Sequence, residues 1–220
     1  MMFSEISKFF AYNSCLIYYI LIEKSIDFFS KREVDRNLLN KVVKKYNITI
    51  SLVSWFIFFV TVYENWNLLN YSGLVCSNHN NSMITLFYYL KYIEWTDTIF
   101  LVIKKKNLSF LHYFHHMIVP LFVYANYAFV NTAGQSYVIM SNSLAHGLMY
   151  LYYAYPKELK KYSKMVTFVQ TIQHLGALVI LILQIYNFFN EECRYNKEFI
   201  IISLVNYFIF FYEFFKILIK

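Results

Sequence analysis

Apolar residues run through this chain in seven long stretches: Phe9 to Phe29, Ile48 to Tyr63, Met83 to Ile103, Leu108 to Ala128, Gln135 to Ala154, Met165 to Phe189 and Phe199 to Ile219. A helix needs about 20 such residues to cross a hydrocarbon layer of about 30 Å, because each residue adds about 1.5 Å. The pattern therefore predicts an all-α integral membrane protein with seven transmembrane helices in one bundle. Glu23, Lys24 and Asp27 sit near the end of the first stretch, where they can snorkel toward headgroups. No Ala-x-Ala cleavage pattern follows that stretch, so it reads as a retained span and not as a removed signal.

Composition supports helices over turns. Of the 220 residues 59% are hydrophobic and 15% charged, which excludes a disordered chain, and three Cys cannot build a disulfide scaffold. Four Gly and two Pro are too few for a turn-rich sheet protein. No repeat, low-complexity tract or linker divides the sequence, so residues 1–220 read as a single domain.

A net charge of +7 would suggest nucleic acid in a soluble protein, but its placement matters more than its sum. Loop one carries Lys31, Arg32, Arg36, Lys41, Lys44 and Lys45; loop three is Lys104, Lys105 and Lys106; loop five holds Lys157, Lys160, Lys161 and Lys164. Loops two and four carry no Lys or Arg, and in loop six Arg194 and Lys197 are offset by Glu191, Glu192 and Glu198. Positive loops stay cytosolic, so the alternation predicts an outer N-terminus and a cytosolic C-terminus. It argues for a membrane partner and against nucleic acid.

Polar groups at membrane depth are costly and point to a site. The third span holds Lys91, Glu94, Asp97 and Thr98; the fourth His112, His115 and His116; the fifth Asn142 and His146; the sixth Gln170, Gln173 and His174. Counted from the cytosolic ends, most of them fall roughly 6 to 14 Å deep. His112, His115 and His116 stand at i, i+3 and i+4, one face of a helix, and Asn142, His146, Met149, Tyr150 and Tyr153 form a second stripe. A lone His such as His174 is more simply a packed residue, and Lys91 and Glu94 at i, i+3 could simply neutralise each other. Three imidazoles in one patch gain nothing for packing.

Two chemistries use such a cluster. A His-x-x-His-His box suits the membrane di-iron desaturases and hydroxylases, but five membrane His without a second box leave too few ligands for two irons unless Glu94 and Asp97 both serve. A single zinc has no Cys-x-x-Cys or His-Glu-x-x-His to support it. The other chemistry is acyl transfer, in which neighbouring imidazoles divide the roles of nucleophile and base. Cys15, Cys76 and Cys193 all fall away from the His residues, so a covalent acyl group would sit on His. Cys76 and Cys193 share the outer compartment, where a disulfide between them is permitted.

Lys91-x-x-Glu94-x-x-Asp97-Thr98, the following lysines and Phe110-Leu111-His112-x-x-His115-His116 resemble the signature of the ELO fatty acid elongases, the membrane 3-ketoacyl-CoA synthases. The resemblance extends back to Tyr46-Asn47 and on through Asn142-x-x-x-His146-x-x-Met149-Tyr150-x-Tyr152-Tyr153 and Thr167-x-x-Gln170-x-x-Gln173. Asn107 departs from it, standing where that family usually has Gln. The resemblance implies an endoplasmic reticulum enzyme that condenses acyl-CoA with malonyl-CoA, needs no further cofactor and surrounds an acyl channel with its helices. It implies a covalent acyl group on His115 with His146 beside it. His112 and His116 would polarise the thioester or the enolate, and Asn142, Gln170 and Gln173 would donate to carbonyl oxygens. Lys91, Glu94, Asp97, Tyr150 and Tyr153 complete the substrate-binding set.

Lys104, Lys105 and Lys106 with loops one and five would draw polyanionic CoA to a cytosolic mouth. Around Ala133-Gly134, Met140-x-Asn142 and Thr167-x-x-Gln170 the sequence is similar to elongases of saturated and monounsaturated chains. The resemblance also implies ketoacyl-CoA reductase, dehydratase and enoyl reductase enzymes as partners. A seven-helix receptor or channel would need no such collinear His, Gln and Asn motifs.

Overall fold

The computed structural model describes residues 5–68, 81–129, 133–189 and 197–220. Cys76 and Cys193 lie outside them. Among the described residues every regular element is helical: α1 (Glu5–Ser30), α2 (Arg36–Asn65), α3 (Ile84–Ile93), α4 (Trp95–Ile103), α5 (Phe110–Phe129), α6 (Ala133–Ala154), α7 (Ser163–Phe189) and α8 (Lys197–Leu218), with single 3-10 turns at Trp66–Leu68 and Lys160–Tyr162.

Among the described residues the seven predicted spans correspond to eight helices, because the third is broken at Glu94. The Glu94 amide still bonds the Leu90 carbonyl at 2.9 Å, but the Asp97 amide reaches the Glu94 carbonyl at 3.0 Å, a tightened turn between α3 and α4. Neither Pro nor Gly stands there. The break coincides with a buried ion pair, Lys91 Nζ to Glu94 Oε1 at 2.9 Å, whose side chains are only 2% and 1% exposed.

Among the described residues three stretches, Arg36–Asn65, Lys160–Asn187 and Phe199–Leu218, are long and apolar enough to cross a membrane by length and composition alone. The others fall short for visible reasons. Charges dilute α1, α3 and α4 have 10 and 9 residues, and α5 and α6 carry the imidazoles and amides.

The chain forms two compact units. The first comprises residues 1–43 and 85–125. In it α1 packs against α4 through Tyr18, Ile22 and Trp95. The buried stripe of α1 is small or polar (Ser7, Ala11, Ser14, Tyr18, Ile22, Ser25), and hydrogen bonds reinforce its packing. Ser7 Oγ lies 2.8 Å from Tyr89 Oη, and the Tyr88 hydroxyl donates to the Ser7 carbonyl at 2.8 Å. The opposite face exposes Phe9, Leu16, Ile20 and Phe28, which suits lipid.

The second unit comprises residues 44–84 and 126–220. Here α7 packs against both α6 and α8. Near Gly147 α2 and α6 approach closely: the Ser51 hydroxyl donates to the Gly147 carbonyl at 2.8 Å, and a Cβ on Gly147 would lie 3.0 Å from the Trp55 ring. At Gly176 the space a Cβ would need is filled by the Tyr137 hydroxyl.

Candidate functional site

In the first unit the histidines occupy the opening turns of α5. Ser109 caps that helix, its hydroxyl accepting from the His112 amide at 3.2 Å, which starts the helix just before the box. The i, i+3, i+4 spacing then brings the rings together as expected. The His112 and His116 ring centroids are 4.4 Å apart, and those of His115 and His116 are 5.5 Å apart. His116 is buried, while His112 and His115 are partly accessible.

Two contacts from neighbouring helices fix this array. Pro120 stands four residues after His116 and has no N–H to give its carbonyl. The Trp95 indole N–H donates to that carbonyl instead, at 2.8 Å. At the front of the box, His112 Nε2 is 2.9 Å from Thr98 Oγ1, and Thr98 Oγ1 is 2.8 Å from the hydroxyl of fully buried Tyr18. Tyr18 also lies against Trp95, Tyr113 and His116.

Lys91 and Glu94 form the ion pair described above, and the Lys91 ammonium also sits 4.4 Å from the Phe87 ring centroid. Asp97 is half-buried on the first turn of α4. Cys15 places its thiol 3.6 Å from the Met117 carbonyl.

The three loop lysines follow α4 in a Schellman turn. The Lys106 amide bonds the Leu101 carbonyl at 3.0 Å, and the Lys105 amide bonds the Val102 carbonyl at 2.9 Å. Lys105 takes a φ of 53°, the left-handed conformation that glycine usually fills. Partial burial, assisted by the Lys106 charge, pushes the Lys104 ammonium below the usual lysine range.

The second unit carries the remaining residues. Asn142 and His146 are buried on α6. Tyr150 is fully buried, its ring 5.7 Å from His146 and 6.1 Å from Tyr46. Tyr153, assigned to the same stripe, is 52% exposed. On α7 the Gln170 side-chain amide lies 3.3 Å from Met149 Sδ, and Gln173 is buried. His174 packs among Tyr207, Phe210 and Phe214 of α8, stacked on Phe214 at 5.2 Å.

Sequence reasoning missed Tyr18, Trp95, Ser109 and Pro120. For Tyr18 a signal existed, since Ser7, Ala11, Ser14, Tyr18, Ile22 and Ser25 recur at helical spacing among bulky apolar residues. Pro120, four residues past the last box histidine, is equally legible once its missing N–H is considered.

Helices long and apolar enough to cross a membrane, together with a His-x-x-His-His run on the opening turns of α5, give the class, a multi-pass membrane protein that carries a histidine box. Residues 4–220 match the model of the family described as ELO: GNS1/SUR4 family, and the chain belongs to that family. It is 30% identical to "Very long chain fatty acid elongase 7" of Rattus norvegicus over 191 residues, 77% of this chain and 65% of that protein. It is 31% identical to "Fatty acid elongase 3" of Trypanosoma cruzi over 56% of this chain and 43% of that protein. With "Putative fatty acid elongase 4" of Caenorhabditis elegans it shares 33% identity over 59% and 46%. The chain thus spans about half to two thirds of the length of the curated relatives it matches.

Proposed function

We propose that the chain is a fatty acid elongase, a very-long-chain 3-oxoacyl-CoA synthase that joins an acyl-CoA to malonyl-CoA as one catalytic domain. The observation that carries this reading is the His112, His115 and His116 array on the first two turns of α5, with ring centroids 4.4 and 5.5 Å apart in the first unit. Family membership and the elongase names of the relatives support it.

In the proposed reaction a neutral His115 nitrogen attacks the acyl-CoA thioester. The acyl C–S bond breaks, CoA leaves as thiol with the imidazole proton, and the acyl group stays on nitrogen. Malonyl-CoA then loses carbon dioxide, and its enolate carbon attacks the acyl-imidazole. The new C–C bond forms as the C–N bond breaks, and the released imidazolate takes a proton from water. The products are 3-ketoacyl-CoA, CoA and carbon dioxide, with no resident cofactor required. His146 assists acyl transfer; His112 and His116 act on the developing oxyanions; Asn142, Gln170 and Gln173 donate to carbonyl oxygens. A low-water environment protects the acyl-imidazole from hydrolysis.

The proposal places seven spans in the endoplasmic reticulum membrane, with the N-terminus lumenal, the C-terminus cytosolic and the lysine loops facing CoA. Saturated and monounsaturated chains are the proposed substrates, and the reductase, dehydratase and enoyl reductase of the elongation cycle the proposed partners. Purified protein incubated with an acyl-CoA series tests it. An intact-mass acyl adduct should form without malonyl-CoA and disappear when malonyl-CoA is added. Malonyl-dependent turnover without any adduct would overturn the covalent step, and no turnover with any chain would overturn the activity.

A further inference from the structure

The hydrogen-bond chain Tyr18, Thr98, His112 has a direction. Tyr18 is 0% exposed, and among the described residues Thr98 is its only hydrogen-bond partner. Leaving a buried hydroxyl proton without an acceptor is costly, so the phenol donates to Thr98 Oγ1. Thr98 has a single proton, and its only other partner among the described residues is His112 Nε2 at 2.9 Å. That proton must point to the ring, which makes Nε2 an acceptor. A neutral imidazole with an accepting Nε2 carries its proton on Nδ1.

From this geometry we infer that Tyr18 is a positioning residue that holds His112 as the Nδ1–H tautomer, so that His112 serves the reaction as a hydrogen-bond donor to an oxyanion and not as its base. The assignment rests on the elongase reading for its chemistry but not for its geometry. It separates three imidazoles that look equivalent in sequence. With Nε2 occupied by Thr98, His112 has no free nitrogen lone pair to act as nucleophile or base, whereas a neutral imidazole N–H can polarise a carbonyl or support an enolate. It also gives α1 a task in the chemistry, delivered through α4.

The test uses the full chain, 15N-labelled at histidine, in detergent micelles. The His112 ring, assigned through its contacts with the Thr98 methyl group, should show a protonated Nδ1 and an unprotonated Nε2. In Tyr18→Phe the Thr98 hydroxyl is free to turn, and both tautomers should appear. Condensation should fall about tenfold in kcat with the acyl-CoA KM within about twofold, because only part of the population presents the donor. Thr98→Ser keeps the relay and should retain kcat, whereas Thr98→Val should lose it. An Nε2–H tautomer in the unmodified protein would overturn the inference even if Tyr18→Phe fails to fold. So would a tautomer ratio unchanged by Tyr18→Phe, or Thr98→Ser falling as far as Thr98→Val. A chain with the expected tautomer but no malonyl-dependent turnover would sink the elongase reading and leave the assignment standing.

Discussion

The Trp95 indole nitrogen stands 2.8 Å from the His116 carbonyl, the acceptor that Pro120 deprives of its helical donor. A proline inside a helix ordinarily costs stability because one carbonyl loses its partner. Here a neighbouring helix supplies a donor from a side chain that is itself 5% exposed, so the loss is made good by a bond that also anchors the end of the histidine box. Pro120 and Trp95 on α4 thus act on the same backbone carbonyl at the end of the histidine box.

Trp95→Phe should therefore destabilise the protein by about 1–3 kcal/mol, since the His116 carbonyl loses the indole donor. Adding Pro120→Ala returns a backbone N–H at the right position and should recover at least about 1 kcal/mol of the loss. Denaturation of the four members of this cycle in detergent measures it. If Pro120→Ala gives the same increment with Trp95 present as with Phe, the two residues do not share the carbonyl.

If His115 is the nucleophile of the proposed reaction, His115→Ala should remove both the acyl adduct and the condensation product, a loss of about a thousandfold or more. Intact mass and malonyl-dependent CoA release read the two effects in one sample. Turnover that persists while the adduct vanishes assigns the nucleophile elsewhere.

Lys91 and Glu94 distinguish structure from chemistry. Glu94→Gln alone removes the carboxylate charge 2.9 Å from the buried Lys91 ammonium and should cost about 3–5 kcal/mol. Replacing both, Lys91→Met with Glu94→Leu, removes two desolvation penalties and should be nearly neutral or stabilising. If the double variant is stable and active, the pair only neutralises itself; stable but inactive protein places it in the substrate-binding set.

Much of this arrangement was legible in the chain. Helical spacing alone put His112, His115 and His116 on one face, and the rings do cluster. Lys91 and Glu94 at i, i+3 were readable as a pair, and they pair. The break at Glu94 was not legible, because nothing in the sequence there breaks a helix by propensity, and the i, i+3 ion pair that coincides with it is equally compatible with an unbroken helix. Tyr153 is a related case, since helical spacing groups it with Tyr150 but does not say where the stripe leaves the packed face, and its side chain is 52% exposed. Tyr18 stands on the small and polar stripe of α1, so its buried face was legible, but its partner Thr98 lies on another helix and no spacing in the sequence pairs them.

Lys104 should carry a pH signature. Burial and the Lys106 charge lower its ammonium, so between that lowered value and the ordinary 10.5 the unfolded chain binds more protons than the folded one. Stability contributed by this group therefore rises with pH across that window, and the strain is fully present below it. Lys106→Gln removes the neighbouring charge and should weaken the rise, visible as a flatter plot of unfolding temperature against alkaline pH. If the lysines also attract CoA, the acyl-CoA KM of the unmodified protein should climb over the same window as Lys104 discharges, and Lys104→Arg, which keeps its charge there, should hold it down.

Lys105 offers the last test, because its backbone and its charge make opposite demands. At φ 53° a residue with a Cβ pays about 1 kcal/mol that glycine does not, and the Schellman turn it closes ends α4, the helix that carries Trp95 and Thr98. Lys105→Gly should thus stabilise the protein by about 1 kcal/mol, read as a rise in unfolding temperature at neutral pH. If the lysine is kept for its charge at a CoA-facing mouth, the same variant should raise the acyl-CoA KM while kcat stays constant, and this rise should shrink at high salt as screening removes the attraction in both proteins. A variant that is more stable with an unchanged KM would show that Lys105 contributes nothing to CoA capture.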